Sequence, residues 1–372
     1  MLVSLCFISA AGVLAQPHGD SGATAQSVST DDGPHVYWAD DTSAVVFYYC
    51  NDSVVSREFT GQDSIAFTGF CTDTERQYVV STRLGAPGPC EFSGVRRIFA
   101  VSDLHGDYGS FAGILITAGI VDSSLNWRWG DGHLVINGDV FDRGEAVTEC
   151  LWLIYRLERE AAAAGGAVHY LLGNHELMVL RGDLRYVNDR YLDGIARRNR
   201  FAYDDLFGSD MALGRWLRTK HAAVKINGTL FVHGGIHLDY VRNRTSIDDM
   251  NRLIRSGLDF SAAALYFAPE ARNAYGGLGP LWYRGYTRDL EDSYAAMTTP
   301  QIDSVLAFYD AVRVVVGHSE QDSLITYHDG KVVAIDVDVE SRGGQEGLLI
   351  EDTAMFRICA NGSRCQTTAA QQ

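Results

Sequence analysis

Five short stretches of this chain carry side chains able to hold a cation or a phosphate. "SDLHGD" contributes Asp103 and His105, and "INGDVFDRG" contributes Asp139, Asp142 and Arg143. "GNHE" contributes Asn174 and His175, "HGG" contributes His233, and "GHS" contributes His318. Asp, Asn and His together form a mixed oxygen and nitrogen donor set, which suits Mn, Fe or Zn better than Ca. No cysteine belongs to the set, which argues against a structural zinc site. Arg143 directly follows the second aspartate of its loop, and a guanidinium matches phosphate geometry bidentately. Taken singly, these residues have plainer readings. Asp139 and Asp142 alone could cap the helix that follows, and His105 or His233 alone would be an ordinary structural histidine. Recurrence in five glycine-flanked loops points instead to one site that joins metal and phosphate chemistry, because glycine lets the backbone turn sharply and lets a ligand come close.

Each loop ends an apolar run: "RIFAVSD", "HLVINGD", "VHYLLGNH", "TLFVHGG" and "RVVVGHS". Continuous β-branched runs suit strands buried on both faces. The stretch "EAVTECLWLIYRLEREAAAA" reads as a helix ended by Gly165–Gly166. The alternation predicts an α/β sandwich around mixed sheets. Ligands of α/β sheets gather at the carboxyl ends of strands, so the five tips can converge. Residues 91–356 are expected to form this catalytic domain, with 177–221 as a cap inserted over the site and 357–372 as a tail. Ahead of it, alternation in "HVYWADDTSAVVFYYCND" predicts a small antiparallel β element over 35–90, preceded by a flexible Gly/Ser/Thr/Asp leader over 16–34.

Composition narrows the partners. The 372 residues carry a formal net charge of -16, which argues against nucleic acid or an anionic membrane, since both reward clustered Lys and Arg. Residues 1–15, "MLVSLCFISAAGVLA", read as a signal peptide too short to span a bilayer, so a secreted or periplasmic protein is expected, with no membrane span in the mature chain. Six cysteines lie beyond it. Cys359 and Cys365 bracket a short loop and are expected to pair, Cys50 is expected to pair with Cys71 or Cys90, and Cys150 is expected as a buried thiol. "CLWLIYR", Cys150 to Arg156, matches the C-x5-R count of cysteine phosphatases. Its bulky, helix-forming interior would tie up the backbone N–H groups such a site needs, so a cysteine nucleophile is rejected.

In chain order, "DLHG", "GDVFDRG", "GNHE", "HGG" and "GH" resemble the motifs D-x-H-G, G-D-x-x-D-R-G, G-N-H-E, H-G-G and G-H of the phosphoprotein phosphatase superfamily. The match spans roughly residues 96–340, and the "PLWYRGY" segment makes it most similar to the Shewanella-like protein phosphatases. The resemblance implies a calcineurin-like metallophosphoesterase β-sandwich of mixed sheets flanked by helices. It implies two divalent ions (Mn, Fe or Zn). Asp103, His105 and Asp139 would hold the first, and Asp139, Asn174, His233 and His318 the second. A hydroxide bridging them would attack phosphorus directly. Arg143 and Arg284 would clamp phosphate oxygens, His175 would protonate the leaving oxygen, and Asp142 would orient His175. Glu176, Asp107 and Asp336 are expected near the site, and Asp183, Arg185 and Tyr186 beside substrate if 177–221 is a cap.

Two features depart from the animal serine/threonine phosphatases. Ser102 stands where they have glycine, and their S-A-P-N-Y motif is replaced by "AIDVDVE". These departures argue against a typical phosphoserine preference, and the resemblance to the Shewanella-like phosphatases, several of which favour phosphotyrosine, implies a phosphorylated protein or peptide as substrate, with phosphotyrosine favoured. The alternatives are a dinucleoside polyphosphate or small-molecule phosphatase with the same site, and a non-catalytic phosphate-binding protein that kept the fold.

Overall fold

Along the strand Arg97–Val101 successive side chains enter two different cores. Ile98 and Ala100 join Val135, Phe231, Val315 and Val333 in a layer between two sheets. Phe99 and Val101 join Leu134 and Ile136 against the helices Tyr108–Thr117 and Val147–Ala163. On the far side, Leu230, Val232, Val314 and Val316 meet the helices Leu238–Arg242 and Thr299–Phe308. Each strand is thus buried on both faces, which is why its residues are apolar without alternation. Each fully buried Val, Leu or Ile contributes about 1.5–3 kcal/mol.

This computed structural model describes residues 31–369 apart from 72, 83–84, 198, 261–263, 265–266, 291–292, 340–342 and 366–367. The expected signal peptide, 1–15, and the leader as far as residue 30 lie outside the described residues. One sheet has six strands, in the order Arg364–Cys365, Ala354–Ile358, Gly347–Glu351, Arg97–Val101, His133–Ile136 and Ala167–Tyr170. Its last three strands run parallel. The other has seven, in the order Thr368–Ala369, Ile325–Tyr327, Val332–Ala334, Arg313–Val316, Thr229–Val232, Ala223–Ile226 and Glu91–Phe92. Thr229–Val232, Arg313–Val316 and Val332–Ala334 are parallel to one another. All five ligand-bearing loops leave the carboxyl ends of such parallel strands. No described helix is long and apolar enough to cross a membrane.

The N-terminal strands Asp32–Trp38, Ala44–Cys50 and Ser53–Phe59 form one antiparallel sheet, and Ser64–Thr68 with Gln77–Ser81 a second. They share a core with the helix Val147–Ala163. Trp152 on that helix meets Tyr78 edge-on at 5.2 Å and donates its indole N–H to the Pro34 carbonyl at 2.8 Å. The element therefore buttresses the helix that follows the Asp139 loop.

Two expected boundaries move. The first strand opens at Asp32, paired with Tyr49, inside the stretch assigned to the leader. Residues 357–372 are not a plain tail, because Arg364–Cys365 pairs with Ala354–Ile358 and Thr368–Ala369 pairs with Ile325–Tyr327. These edge strands are two residues long, too short for periodicity to reveal. Disulfides join Cys50 to Cys71 and Cys359 to Cys365, while Cys90 and Cys150 are buried free thiols. Burial pushes the Cys150 thiol well above its usual range, so it is no nucleophile.

Where the N-terminal sheet meets that helix, two carboxylates lie close. His35 bonds Asp32 at 2.8 Å, and Arg190 approaches Glu149 at 3.9 Å. Burial, then the Asp32 charge, lifts the Glu149 carboxyl to about 7, with Arg190 pulling the other way. Between its ordinary value of 4.5 and about 7 the folded chain holds a proton that the unfolded chain has released. Stability must therefore fall as pH rises through that window. Glu149→Gln is expected to stabilise the protein at pH 8 by about 1 kcal/mol, after discounting for its partly exposed side chain. Thermal melts from pH 5 to 8 check this, since the variant should lose the slope.

Candidate active site

The five loops meet around Asp139. Its Oδ2 lies 3.1 Å from His233 Nε2, 3.8 Å from His175 Nε2 and 4.0 Å from His105 Nε2. His318 joins Asp139 and His233 in one group whose ligand atoms lie within 4.8 Å of one another, and His105 and His175 join Asp139 in a second. Asn174 Oδ1 is 3.0 Å from His233 Nε2. Asp103 is buried beside them and acts electrostatically on His233 and His105. Its Oδ2 is held by Ser102 Oγ at 2.5 Å and by the His318 backbone N–H at 3.1 Å. All six expected ligand positions thus converge, although Asp103 stands outside the two tight groups.

The backbone is bent to achieve this. Asp103, His105, Asp139, Asp142, Arg143 and His318 all have positive φ, between 45° and 70°. Non-glycine residues reach that region at a steric cost, and such residues concentrate at functional sites. Gly138 relieves one turn with φ 90°. Gly173 serves another purpose, because a Cβ there would overlap Asp139 Oδ1.

The histidines fall into two kinds. His105 donates Nδ1–H to the Phe141 carbonyl at 2.8 Å, His233 donates Nδ1–H to the Asn137 carbonyl at 2.8 Å, and His318 donates Nε2–H to the Trp282 carbonyl at 3.1 Å. In each the other ring nitrogen is left to face the cluster, which is how proteins set the tautomer of metal-binding histidines. His175 instead bonds a carboxylate, Asp142 Oδ2, at 2.6 Å. The donor set therefore fits divalent cations. Burial opposes charge on these groups, yet Asp139 and Asp103 lift His233 to about 10. The surrounding histidines hold Asp139 well below the usual carboxylate range despite its burial. A cation bound among them would replace that proton on His233.

The arginines differ. Arg143 is exposed at the rim, and no described carboxylate pairs with its guanidinium; its backbone N–H bonds the Tyr186 carbonyl at 2.9 Å. Arg284 is half-buried and donates to the His318 carbonyl, with Ser319 Oγ at 3.4 Å. Both therefore stand within the rim of the cluster, Arg284 fixed by the loop that carries His318.

Several neighbouring residues take roles that sequence reading left open or misjudged. Asp107 does not face the cluster; it caps the helix Tyr108–Thr117 through Ser110 N–H at 2.9 Å. Asp139 and Asp142 do not cap the helix Val147–Ala163, whose N-cap is Ala146 without a side-chain bond. Asp183 and Arg185 pair with each other at 2.5 Å. Asp336 is buried near Asp103, and burial with that charge raises its carboxyl well above the usual range. The segment 177–221 reaches the site through residues 186–188; farther along, Phe201 stacks on Tyr49 of the N-terminal sheet at 5.3 Å, the Asp210 carbonyl accepts from the Trp38 backbone N–H, and Trp216 and Lys220 bond Glu158 of the helix Val147–Ala163. Asn137 is not among the residues expected at the site. Its amide donates to the Val232 carbonyl at 3.1 Å while its own carbonyl holds His233, so it ties the two sheets together at the site.

Glu176 ties the second and third loops. Its carboxylate accepts from the N–H groups of Asp139 at 2.9 Å, Val140 at 2.7 Å and Gly173 at 2.6 Å, and from Tyr170 Oη at 2.8 Å. Glu176→Ala would leave these buried donors without an acceptor, at about 1–3 kcal/mol each. Loss of more than about 4 kcal/mol, seen as a collapse of the denaturant midpoint, is the expected result. Retention of the wild-type midpoint would mean the carboxylate is replaceable by water.

The fold and this centre define a class. Residues 96–321 match the calcineurin-like phosphoesterase family, and the chain belongs to it. Among curated proteins it is similar to Shewanella-like protein phosphatase 1 of Plasmodium berghei, 28% identical over 228 residues that make up 61% of this chain and 62% of that protein. It is also similar to Shewanella-like protein phosphatase 2 of Arabidopsis thaliana, 27% identical over 309 residues, 69% of this chain and 74% of that one. The chain thus spans less than two thirds of the Plasmodium relative. Among solved structures it resembles the cold-active protein-tyrosine phosphatase of a psychrophilic Shewanella species, with a TM-score of 0.82 at 33% identity over 90% of this chain and 98% of that one. The protein is a metal-dependent phosphoesterase of calcineurin-like fold, with Shewanella-like protein phosphatases as homologues.

Proposed function

We propose that this enzyme hydrolyses phosphomonoesters of proteins or peptides, phosphotyrosine before phosphoserine and phosphothreonine. The observation that carries the reading is the division of the four histidines: three are fixed through one ring nitrogen by a backbone carbonyl so that the other nitrogen faces the cluster, and one is paired with a carboxylate. Asp103, His105 and Asp139 would hold one divalent cation, and Asp139, Asn174, His233 and His318 a second. Two such ions would supply Lewis-acid activation of the attacking water and neutralise charge on the phosphoryl oxygens. Arg143, free at the rim, binds the phosphate, and Arg284 holds a second oxygen with the guanidinium nitrogens left over from His318. Asp142 holds the His175 ring so that Nε2 faces the departing oxygen and delivers its proton. The name of the Shewanella structure, a protein-tyrosine phosphatase, supports the aryl preference. Export is part of the proposal, and the pairs Cys50–Cys71 and Cys359–Cys365 support an oxidising compartment.

The test strips the protein of metal, refills it with Mn, and compares initial rates on matched phosphotyrosine, phosphoserine and phosphothreonine peptides beside a dinucleoside tetraphosphate. Metal-restored release of phosphate, fastest from phosphotyrosine, is expected. Turnover of the nucleotide alone would overturn the substrate assignment.

A further inference from the structure

Tyr186 is one of the few large side chains left exposed, at 49%. Its ring centroid lies 5.4 Å from that of His175, tilted by 50°. Its position is not loose. The Tyr186 carbonyl accepts from Arg143 N–H at 2.9 Å, and two residues on, Asn188 Nδ2 donates to the Arg143 carbonyl at 2.8 Å. The main chain is thus clamped on both sides of the phosphate-binding arginine; the ring stands beside the histidine, the exposed Arg185 guanidinium lies 5.8 Å from its centroid, and about half of the residue stays open to solvent.

That location has a chemical meaning, given the reading above of His175 as the proton donor, on which this inference rests. His175 Nδ1 is committed to Asp142, so Nε2 is the nitrogen that can reach the leaving oxygen. As the P–O bond breaks, its electron pair stays on that oxygen, which takes the proton from Nε2. The group bonded to the oxygen must leave the cluster past His175, where Tyr186 stands. We propose that Tyr186 is the platform against which the leaving aryl ring lies, and that it sets the preference for aryl over alkyl phosphomonoesters. Aromatic pairs are favourable at centroid separations of about 4.5–7 Å in offset or tilted arrangements. A seryl side chain has no ring to place there. A clamped tyrosine also offers contact area with little rotamer freedom to lose.

The experiment uses the full chain with Mn and two substitutions, Tyr186→Ser and Tyr186→Phe, on phosphotyrosine and phosphoserine peptides of one sequence. Tyr186→Ser is expected to raise KM for the phosphotyrosine peptide about 5-fold and to leave the phosphoserine KM within about 2-fold. Tyr186→Phe should restore the wild-type values, since the ring and not the hydroxyl makes the contact. Parallel losses on both peptides, or no loss on either, would overturn the proposal. Wild-type protein inactive on both peptides would instead overturn the reading of the site itself, so the two failures are told apart.

Discussion

Asp139→Asn is expected to lower kcat/KM on every phosphomonoester by about 10³-fold or more, because a bound metal supplies several kcal/mol of charge stabilisation and each 1.36 kcal/mol is tenfold. Asp139 is the common member of both ligand groups, with three imidazoles around its Oδ2. The amide matches the carboxylate in shape but lacks the charge that would hold the two cations proposed above. Metal content by elemental analysis should fall with the activity. The fold should survive, since the His175 backbone N–H at Asp139 Oδ1 can bond an amide oxygen equally well. Full activity with full metal content would exclude Asp139 as a bridging ligand.

The strands that carry this residue were legible because each is a short β-branched run buried on both faces, and the loops were legible because a ligand must be a particular residue type. What orients the ligands was not legible. Phe141, Asn137 and Trp282 hold the three histidines by main-chain carbonyls, and a carbonyl is common to every residue. The positive φ values of Asp103 and Asp139 leave no mark in a sequence either, since aspartate occurs freely elsewhere. Glu176 was placed near the site, but that it accepts from both the Asp139 and Gly173 loops needed the fold. Asp107 misled because an acidic residue just after "DLHG" looks chemical, whereas a helix start one residue later claims it as a cap. For Cys50, two partners fitted the spacing; the structure sets Cys71 beside it and buries Cys90 in the core under the seven-stranded sheet.

The second large effect concerns His175, and its size should depend on the leaving group. His175→Ala removes the proposed proton donor to the departing oxygen, at an expected cost of about 10²–10⁴-fold in kcat when that oxygen needs a proton. An alkyl oxygen, as in phosphoserine, leaves poorly as its anion, so the full loss is expected there. A phenol with a pKa of about 10 departs more readily without help, so phosphotyrosine should lose about tenfold less. Asp142→Asn should follow the same order with smaller losses, because the ring remains but its Nδ1–H partner at 2.6 Å is no longer charged. Single-turnover rates on matched peptides measure this directly. If both leaving groups suffered equally, His175 would be acting on the phosphoryl group or on a metal, as its place in the group with His105 and Asp139 also permits. Elemental analysis of the same variant separates those two roles, since a ligand lost takes metal with it and a proton donor does not.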